Sequence, residues 1–449
     1  MRFFQLVLLG CALTVTAQAD QKPNIAVFLA DDLGWGDVGC YGGEALTPNL
    51  DKLAEQGLRF TQSYSASGVC SPSRSAILTG RTPYRNGVWR HLSGNHEAHL
   101  RTSEITYPEV ARNQGYATCH VGKWHLLSRQ QWEDPRFPLP KVHGYNFWMA
   151  THNNASPSHK NPDNFYRNGK PVGPLEGYSA PLVAKEANRW LEKIRSKEKP
   201  FLLSVWFHEP HSPIATDKRF TDPYGDHENR VYLGNVSQLD FAVGEVMKTL
   251  ESEGVADDTL VIFTSDNGPV DRFGGTSGGL RGGKRSDYEG GIRVPGIMRW
   301  PGRITPGTES DTPIIGTDLF STVLDILDVP LPSDRTIDGV SLLPVFEGKS
   351  IERTTPLFWR THVSPPGDRV AMRIGDWKIV GNDTLTKFQL FHVQEDWKEE
   401  NDLAASEPEK LEEMKQQLLK VWNDIEKEGP NEWWENEKQK PSRGGTLNY

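Results

Sequence analysis

The sequence predicts an α/β protein with a large, mixed but mostly parallel sheet that is flanked by helices and followed by a small second unit. Short apolar runs that end abruptly in polar residues are typical of buried strands. Helical apolar spacing recurs between these runs, and this alternation favours a parallel sheet. After about Pro330 the runs become shorter and are separated by Pro and Gly, which predicts a small antiparallel sheet.

The predicted strands of the large sheet are Asn24–Ala30, residues 201–207 and residues 260–263. The first run breaks into Asp31 and Asp32, the second into HEPH (208–211), and the third into TSDNG (264–268). In an open α/β sheet, ligands bind beyond the carboxyl ends of the strands. We therefore expect these polar strand ends to lie close together.

Helices are predicted at residues 49–56, 108–113, 184–194 and 236–251. The last has the clearest pattern, because its apolar residues recur every three or four positions and so share one face. Those apolar residues are Val236, Leu239, Val243, Val246 and Leu250.

The second unit is expected to contain an antiparallel sheet and one long helix. Its predicted strands are residues 357–361, Val370–Ile374, residues 377–380 and Phe388–His392. The helix begins at a predicted capping box from Ser406 to Glu409, with Pro408 in its first turn. An apolar stripe that begins at Leu411 predicts that this helix packs on the sheet.

The N-terminus is typical of an export signal. Arg2 precedes an apolar run over residues 3–12, and Ala17-Gln18-Ala19 forms a small-x-small cleavage pattern. The run is too short for a stable membrane span, which needs about 20 apolar residues. We expect a cleaved signal peptide at residues 1–19 and a periplasmic or secreted protein. Lipoprotein anchoring at Cys11, which follows Leu-Leu-Gly, stays open as the less favoured alternative.

The net charge of the chain indicates which classes of binding partner are compatible with it. The chain of 449 residues has 50 Lys and Arg against 59 Asp and Glu, a net charge of −9, which argues against nucleic acid. Residues 395–438 alone contain 15 acidic and 6 basic residues, so the rest of the chain is balanced. A small anionic ester at a local cationic site is therefore compatible with the composition.

Residues 70–81, CSPSRSAILTGR, resemble the maturation signature of the type I sulfatases, C-x-P-S-R followed by L-T-G-R. In that family the cysteine is oxidised to formylglycine, so the resemblance implies that Cys70 is modified by a formylglycine-generating or sulfatase-maturing enzyme. This also explains the odd number of cysteines after signal removal. The other two, Cys40 and Cys119, are either paired or, as we favour, separate and buried.

The resemblance continues through Gly115-Tyr116-Ala117-Thr118 and VGKWH (121–125), and it covers nearly all of residues 24–339. It is strongest to the branch with N-acetylgalactosamine-6-sulfatase and arylsulfatase A, and to exported bacterial polysaccharide sulfatases. It implies an alkaline-phosphatase-like sandwich fold. We expect the catalytic sulfatase domain at residues 20–335 and the C-terminal subdomain at 336–449.

The resemblance implies one metal ion, and the residue chemistry agrees with it. Acids and amides at strand ends supply oxygen ligands, which suit a hard divalent cation. The family's usual ion is Ca²⁺, and the sequence does not exclude Mg²⁺. The expected ligands are Asp31, Asp32, Asp266, Asn267 and the modified Cys70.

The family pattern also assigns the reaction chemistry. Arg74, Lys123 and Lys284 are expected to offset the charge that develops on the sulfate oxygens. One hydroxyl of the formylglycine hydrate attacks sulfur, while His211 protonates the departing alcohol as general acid. We expect His125 to act as base on the second hydroxyl, which releases sulfate and regenerates the aldehyde.

Two segments, residues 89–99 and 143–178, are rich in His, Asn and aromatic residues and show neither strand nor helix periodicity. We interpret them as loops that bind a sulfated carbohydrate, since sugars need aromatic faces and polar groups. His152 and Asn153 are candidate substrate contacts. Two alternatives remain open: a phosphodiesterase or phosphonate hydrolase of the same superfamily, and an unmatured, sulfatase-like carbohydrate-binding protein.

Overall fold

The computed structural model describes residues 22–92, 98–363 and 369–429. The predicted signal peptide, with Cys11, lies outside the described residues. Within the described ranges, no helix is both long enough and apolar enough to cross a membrane.

The strands of the described residues are β1 (Asn24–Ala30), β2 (Leu58–Phe60), β3 (Ser63–Tyr64), β4 (Ala117–Lys123), β5 (Phe147–Thr151), β6 (Tyr166–Arg167), β7 (Lys170–Pro171), β8 (Phe201–Trp206), β9 (Thr259–Ser265), β10 (Gly296–Arg299), β11 (Thr308–Ser310), β12 (Ile314–Ile315), β13 (Leu357–Arg360), β14 (Val370–Ile374), β15 (Trp377–Gly381) and β16 (Phe388–His392). The α-helices are α1 (Pro48–Glu55), α2 (Cys70–Thr79), α3 (Pro83–Asn86), α4 (Tyr107–Asn113), α5 (Arg129–Trp132), α6 (Ser179–Arg189), α7 (Lys218–Thr221), α8 (Arg230–Ser252), α9 (Glu289–Ile292), α10 (Asp318–Ile326), α11 (Leu343–Phe346) and α12 (Pro408–Glu428).

The central sheet has ten strands within the described residues, in the order β11-β2-β10-β9-β1-β8-β4-β5-β6-β7. Its middle is parallel: β1 pairs with both β8 and β9, and β4 pairs with both β8 and β5. Strands β10 and β6 run antiparallel to their neighbours β9 and β5. The mixed, mostly parallel sheet predicted from the sequence is confirmed.

Helices cover both faces of this sheet. Ala26, Phe28 and Ala30 of β1 join one apolar core, together with residues of α1, α6 and α8. The alternate residues of β1 join a second core with residues of α2, α4 and α10. Because both faces are buried, β1 is apolar at every position after Asn24 instead of alternating.

The prediction for residues 143–178 was wrong in part, because this segment contains β5, β6 and β7. All five residues of β5 are buried, so the strand shows no polar alternation that a sequence pattern could reveal. Strands β6 and β7 are two residues each, too short to show a period.

The C-terminal sheet is antiparallel, in the order β13-β14-β15-β16, as predicted. Helix α12 packs on it through Met414, Leu418 and Ile425. The predicted capping box is wrong: Glu407 is the N-cap residue and makes no side-chain capping bond. The hydroxyl of Ser406 donates instead to the carbonyl of Leu403, because the chain turns there before the helix begins. The domain boundary at 335/336 stays a prediction.

The cysteines are separate. Within the described residues, Cys40, Cys70 and Cys119 are all free thiols. Cys119 is fully buried on β4, whereas Cys40 is half-buried. The favoured expectation was that Cys40 and Cys119 are separate and buried: both are free thiols, but burial is confirmed only for Cys119.

Candidate active site

The site lies at the carboxyl edge of the central sheet. Parallel pairing sets Leu29 of β1 opposite Trp206 of β8, and Ala30 opposite Ser265 of β9. The residues that follow these strands therefore emerge side by side. The backbone N–H of Asp31 donates to the carbonyl of Glu209 (3.0 Å), which joins two of these strand ends. The predicted convergence of polar strand ends is confirmed.

Cys70 is the first residue of α2 and is buried. Its Sγ atom lies 3.4 Å from Oδ1 of Asp31 and 3.9 Å from Oδ1 of Asp32. Burial raises the pKa of the Cys70 thiol well above its ordinary value, and the nearby charge of Asp266 adds to the effect. The thiol is therefore neutral, although the N-terminus of α2 favours an anion at this position.

Three cations contact the three carboxylates. The Nζ atom of Lys123 lies 2.6 Å from Oδ2 of Asp31. The Nζ atom of Lys284 lies 2.7 Å and 2.8 Å from the two carboxylate oxygens of Asp32. The guanidinium of Arg74 approaches Asp266 from two nitrogens, at 2.7 Å and 2.9 Å. All the basic residues predicted for the site are thus present in it.

The buried carboxyl groups respond differently to this environment. Burial by itself would raise the pKa of Asp31, but Lys123 and the neighbouring cations hold that pKa well below its ordinary value. Burial and the charge of Asp31 raise the pKa of Asp266 to about 7, even though Arg74 opposes the shift. The raised pKa of Asp266 therefore reflects its burial next to another carboxylate, that of Asp31.

The oxygen donors at the site fit a hard divalent cation. Ligand atoms of Asp31, Asp32, Cys70 and His211 all lie within 4.8 Å of one another. The Oδ1 atom of Asn267 is buried and has no hydrogen-bond partner, while its Nδ2 donates to Asp32. Carboxylate and amide oxygens are the ligands that Ca²⁺ and Mg²⁺ prefer.

Asp266 lies slightly outside that four-residue group. Its Oδ1 accepts from the backbone N–H of Asp32 (3.2 Å), and its Oδ2 contacts Arg74. The carboxylate therefore borders the group and helps to hold Asp32, whose φ of 65° lies in the left-handed region.

The two predicted proton-transfer histidines lie in different surroundings. The Nε2 atom of His211 lies 3.5 Å from Oδ2 of Asp32. His125 follows β4 with φ at 55°, and its Nε2 contacts the carbonyl of Leu92 (3.2 Å). The Nδ1 atom of His125 is buried without a hydrogen-bond partner.

Both histidines are neutral in the free protein. Burial lowers the pKa of His211 to about 4, although Asp32 opposes the shift. Burial, followed by the charge of Lys123, lowers the pKa of His125 well below its ordinary value. At His211, burial therefore outweighs the nearby carboxylate of Asp32.

The two predicted substrate contacts, His152 and Asn153, directly follow β5. The carbonyl of His152 accepts the backbone N–H of His125 (2.7 Å), and burial lowers the pKa of His152 to about 4. The Oδ1 atom of Asn153 is buried without a hydrogen-bond partner. Their role toward substrate stays a prediction. Sequence reasoning missed Asn154, whose amide contacts His211; only its position next to Asn153 could have suggested it.

The site is a buried cluster of carboxylates and basic side chains around Cys70, and the comparisons with known proteins identify the family. The family model described as Sulfatase matches residues 23–329. The chain belongs to the sulfatase family and is a type I sulfatase. A second model, N-sulphoglucosamine sulphohydrolase, C-terminal, matches residues 282–428.

Similar proteins come from several sources. The chain is 36% identical to N-acetylgalactosamine-6-sulfatase of Homo sapiens over 369 residues, which covers 76% of this chain and 69% of the relative. It is 32% identical to steryl-sulfatase of Homo sapiens, with 74% and 71% covered. The crystal structure of Ps i-CgsB in complex with k-i-k-neocarrahexaose matches with a TM-score of 0.79 and 26% identity, and covers 89% of this chain and 94% of that one.

Proposed function

We propose that this sulfatase releases inorganic sulfate from a sulfated oligosaccharide or polysaccharide, with formylglycine derived from Cys70 as its nucleophile and one Ca²⁺ as its cofactor. The observation that carries the proposal is the position of Cys70. It begins a helix and lies within 4 Å of Asp31 and Asp32. The family relationship supports the conversion, since sulfatases use this modified residue.

The expected metal ligands are Asp31, Asp32, Asp266, Asn267 and the modified residue 70. The unpaired Oδ1 of Asn267 supports this assignment, because a buried amide oxygen without a partner is costly. When bound, the ion would polarise the sulfate group and favour the ionised form of the nucleophile. It would also relieve the repulsion between Asp31 and Asp266.

Three basic side chains of the protein favour the binding of an anion at this site. Lys123 and Arg74 are fully buried, and Lys284 is mostly buried. In such a water-poor environment, fixed positive charges stabilise developing negative charge more strongly than they do in water. We infer that these three side chains hold the sulfate oxygens and stabilise the charge that develops during transfer.

We assign a different proton transfer to each of the two histidines. His211 contacts Asp32 and is our candidate for the general acid that protonates the departing alcohol. An anionic ester bound beside it would favour its protonated form. The unpaired Nδ1 of His125 supports its role as the base that takes a proton from residue 70 after transfer.

The similar proteins support a carbohydrate substrate. The relatives include N-acetylgalactosamine-6-sulfatases, and Ps i-CgsB was solved with a neocarrahexaose. Steryl-sulfatases match at 30–32% identity, so a steryl sulfate is the competing substrate class.

The test is sulfate release from a panel of defined sulfated mono- and oligosaccharides, with steryl sulfate and 4-nitrophenyl sulfate included. Protein coexpressed with a maturing enzyme should release sulfate from at least one sugar. Turnover of steryl sulfate alone would contradict the carbohydrate assignment. A phosphodiesterase would instead hydrolyse a phosphate diester, and a carbohydrate-binding protein would bind a sugar without releasing sulfate.

We propose export with removal of residues 1–19, followed by a periplasmic or secreted location. The apolar run and the Ala-x-Ala pattern support this. Sequencing the N-terminus of secreted protein should begin at Asp20. A lipid-modified Cys11 at that end would favour the lipoprotein alternative.

A further inference from the structure

The four residues Thr151 to Asn154, which end β5 and follow it, form a bridge between the two histidines. On one side, the backbone N–H groups of Trp124 and His125 donate to the carbonyls of Thr151 (3.0 Å) and His152 (2.7 Å). On the other side, the side chain of Asn154 reaches the segment that carries His211. One short segment therefore contacts both residues that we assign to proton transfer.

The contacts around Ser212 fix the direction of these hydrogen bonds. The Nδ2 atom of Asn154 donates to the carbonyl of Ser212 (3.1 Å), and Nδ1 of His211 contacts the same carbonyl oxygen. A carbonyl oxygen can only accept. The Nδ1 atom of His211 therefore carries a proton and donates it to that hydrogen bond, and Nε2 is the nitrogen left to face Asp32.

The Ser212 carbonyl also determines the orientation of the Asn154 amide. If the amide were turned over, its oxygen would face the Ser212 carbonyl, and two acceptors would meet. In the orientation observed, the amide NH₂ also lies 3.3 Å from Nδ1 of His211. It thus borders the imidazole on the side away from Asp32 and holds the carbonyl that receives the Nδ1 proton.

The bridge itself is held firmly. The carbonyl of Asn154 accepts from Nδ2 of Asn164 (2.9 Å). The hydroxyl of Thr151 donates to the carbonyl of Asn153 (2.5 Å), so it must accept from Nε2 of His208 (2.8 Å). His208 is fully buried. These bonds explain how a residue on a connecting segment can hold a definite position.

We propose that Asn154 is a positioning residue for His211: through the Ser212 carbonyl it fixes the imidazole so that Nε2 faces the departing alcohol. This inference rests on the proposed function, in which His211 is the general acid. Asn154 itself need not touch substrate. Its effect should appear only where protonation of the leaving group limits the rate.

The experiment compares two sulfate esters. The alkoxide of a sugar hydroxyl group is a poor leaving group and needs a proton, whereas 4-nitrophenolate departs without one. Asn154→Ala should lower kcat/KM for the sugar sulfate that the panel identifies by at least about tenfold, within the roughly 10²–10⁴-fold that proton transfer contributes. The change for 4-nitrophenyl sulfate should be less than about threefold. Asn154→Asp, which has the same shape but lacks the NH₂ donor, should behave as Asn154→Ala does.

Two controls sharpen the comparison. Asn188→Ala removes the same kind of bond, an amide donor to the carbonyl of Glu245, but on α6, and it should leave both activities unchanged. In a His211→Ala background, Asn154→Ala should cause no further loss, because the two residues act as one unit.

Equal losses on both esters, no loss on the sugar, or additive losses with His211→Ala would overturn the proposal. Wild-type protein that releases no sulfate from any ester would instead contradict the proposed function. A crystal structure of Asn154→Ala then tests the positioning role on its own. The His211 ring should be turned away from Asp32, and an unmoved ring would refute the inference.

Discussion

Replacing Lys378 by Met should destabilise the protein strongly, although Lys378 lies outside the active site. Its Nζ atom is fully buried and lies 2.9 Å from Oε1 of Glu289 and 2.9 Å from Oε1 of Glu399. Glu289 begins α9, whereas Lys378 lies on β15 of the C-terminal sheet. The cluster therefore joins α9 to the C-terminal sheet through one buried cation between two carboxylates.

The magnitude follows from the charges that remain. Removing one partner of a buried ion pair costs about 3–5 kcal/mol, since the other partner stays buried and unpaired. In this cluster two carboxylates would lose their shared cation. Burial already raises the pKa of Glu399 to about 7, even with Lys378 opposing the shift. Without Lys378, we expect that pKa to rise further.

The sign of the pH dependence is then determined. A carboxyl group whose pKa is higher in the folded than in the unfolded protein favours folding when protonated, and this contribution disappears as the pH rises through the folded pKa. The deficit of Lys378→Met should therefore be larger at pH 8 than at pH 5.5. Adding Glu399→Gln should recover part of the loss at pH 8.

Urea unfolding, followed by tryptophan fluorescence at both pH values, measures this effect. Lys378→Arg is the matched control, because it keeps the charge. A deficit below about 1 kcal/mol that does not change with pH would show that Lys378 does not stabilise the two carboxylates.

Three other predictions concern separate parts of the molecule. Burial lowers the pKa of His120 to about 3, so its contribution to stability is present above pH 6.5 and is lost as the pH falls. His120→Phe should therefore reduce the slope of the unfolding free energy against pH on the acid side, by an amount that corresponds to at most about one proton. Asp240 accepts the backbone N–H groups of Asn49 and Leu50 at the start of α1, so Asp240→Ala should cost about 1–2 kcal/mol by urea unfolding. Chelating Ca²⁺ should lower the Tm, because bound Ca²⁺ at a free concentration of 100 times its Kd stabilises the folded protein by about 2.7 kcal/mol. Asn267→Ala should make this Tm shift smaller.

The sequence predicted the parts of the fold that depend on local pattern. Strand β1 was predicted with its observed bounds, because a run buried on both faces is apolar throughout and the acids that follow it mark its end. Helix α8 was also predicted from its apolar face, but it begins at Arg230, before that predicted face starts at Val236. The ends of elements were less predictable, as the failed capping box at Ser406 illustrates.

The site was predictable where a residue is tied to a recognisable motif or strand end. Cys70 and Lys123 both contact Asp31, and Arg74 contacts Asp266, so residues from separate motifs meet at one site. Asn154 could not be predicted, because its bond to Ser212 joins residues that are 58 positions apart. The same holds for Lys378, which contacts Glu289 across 89 positions. Neither contact leaves a local periodic signal.

The central claim is that Cys70 becomes the nucleophile after oxidation to formylglycine. The most direct measurement is mass spectrometry of the Cys70 peptide, made on preparations with different degrees of maturation whose sulfate release is measured in parallel. We expect specific activity to rise in proportion to the fraction of residue 70 that carries the aldehyde, and Cys70→Ala to have none. Full activity in protein whose residue 70 is entirely unmodified cysteine would contradict it.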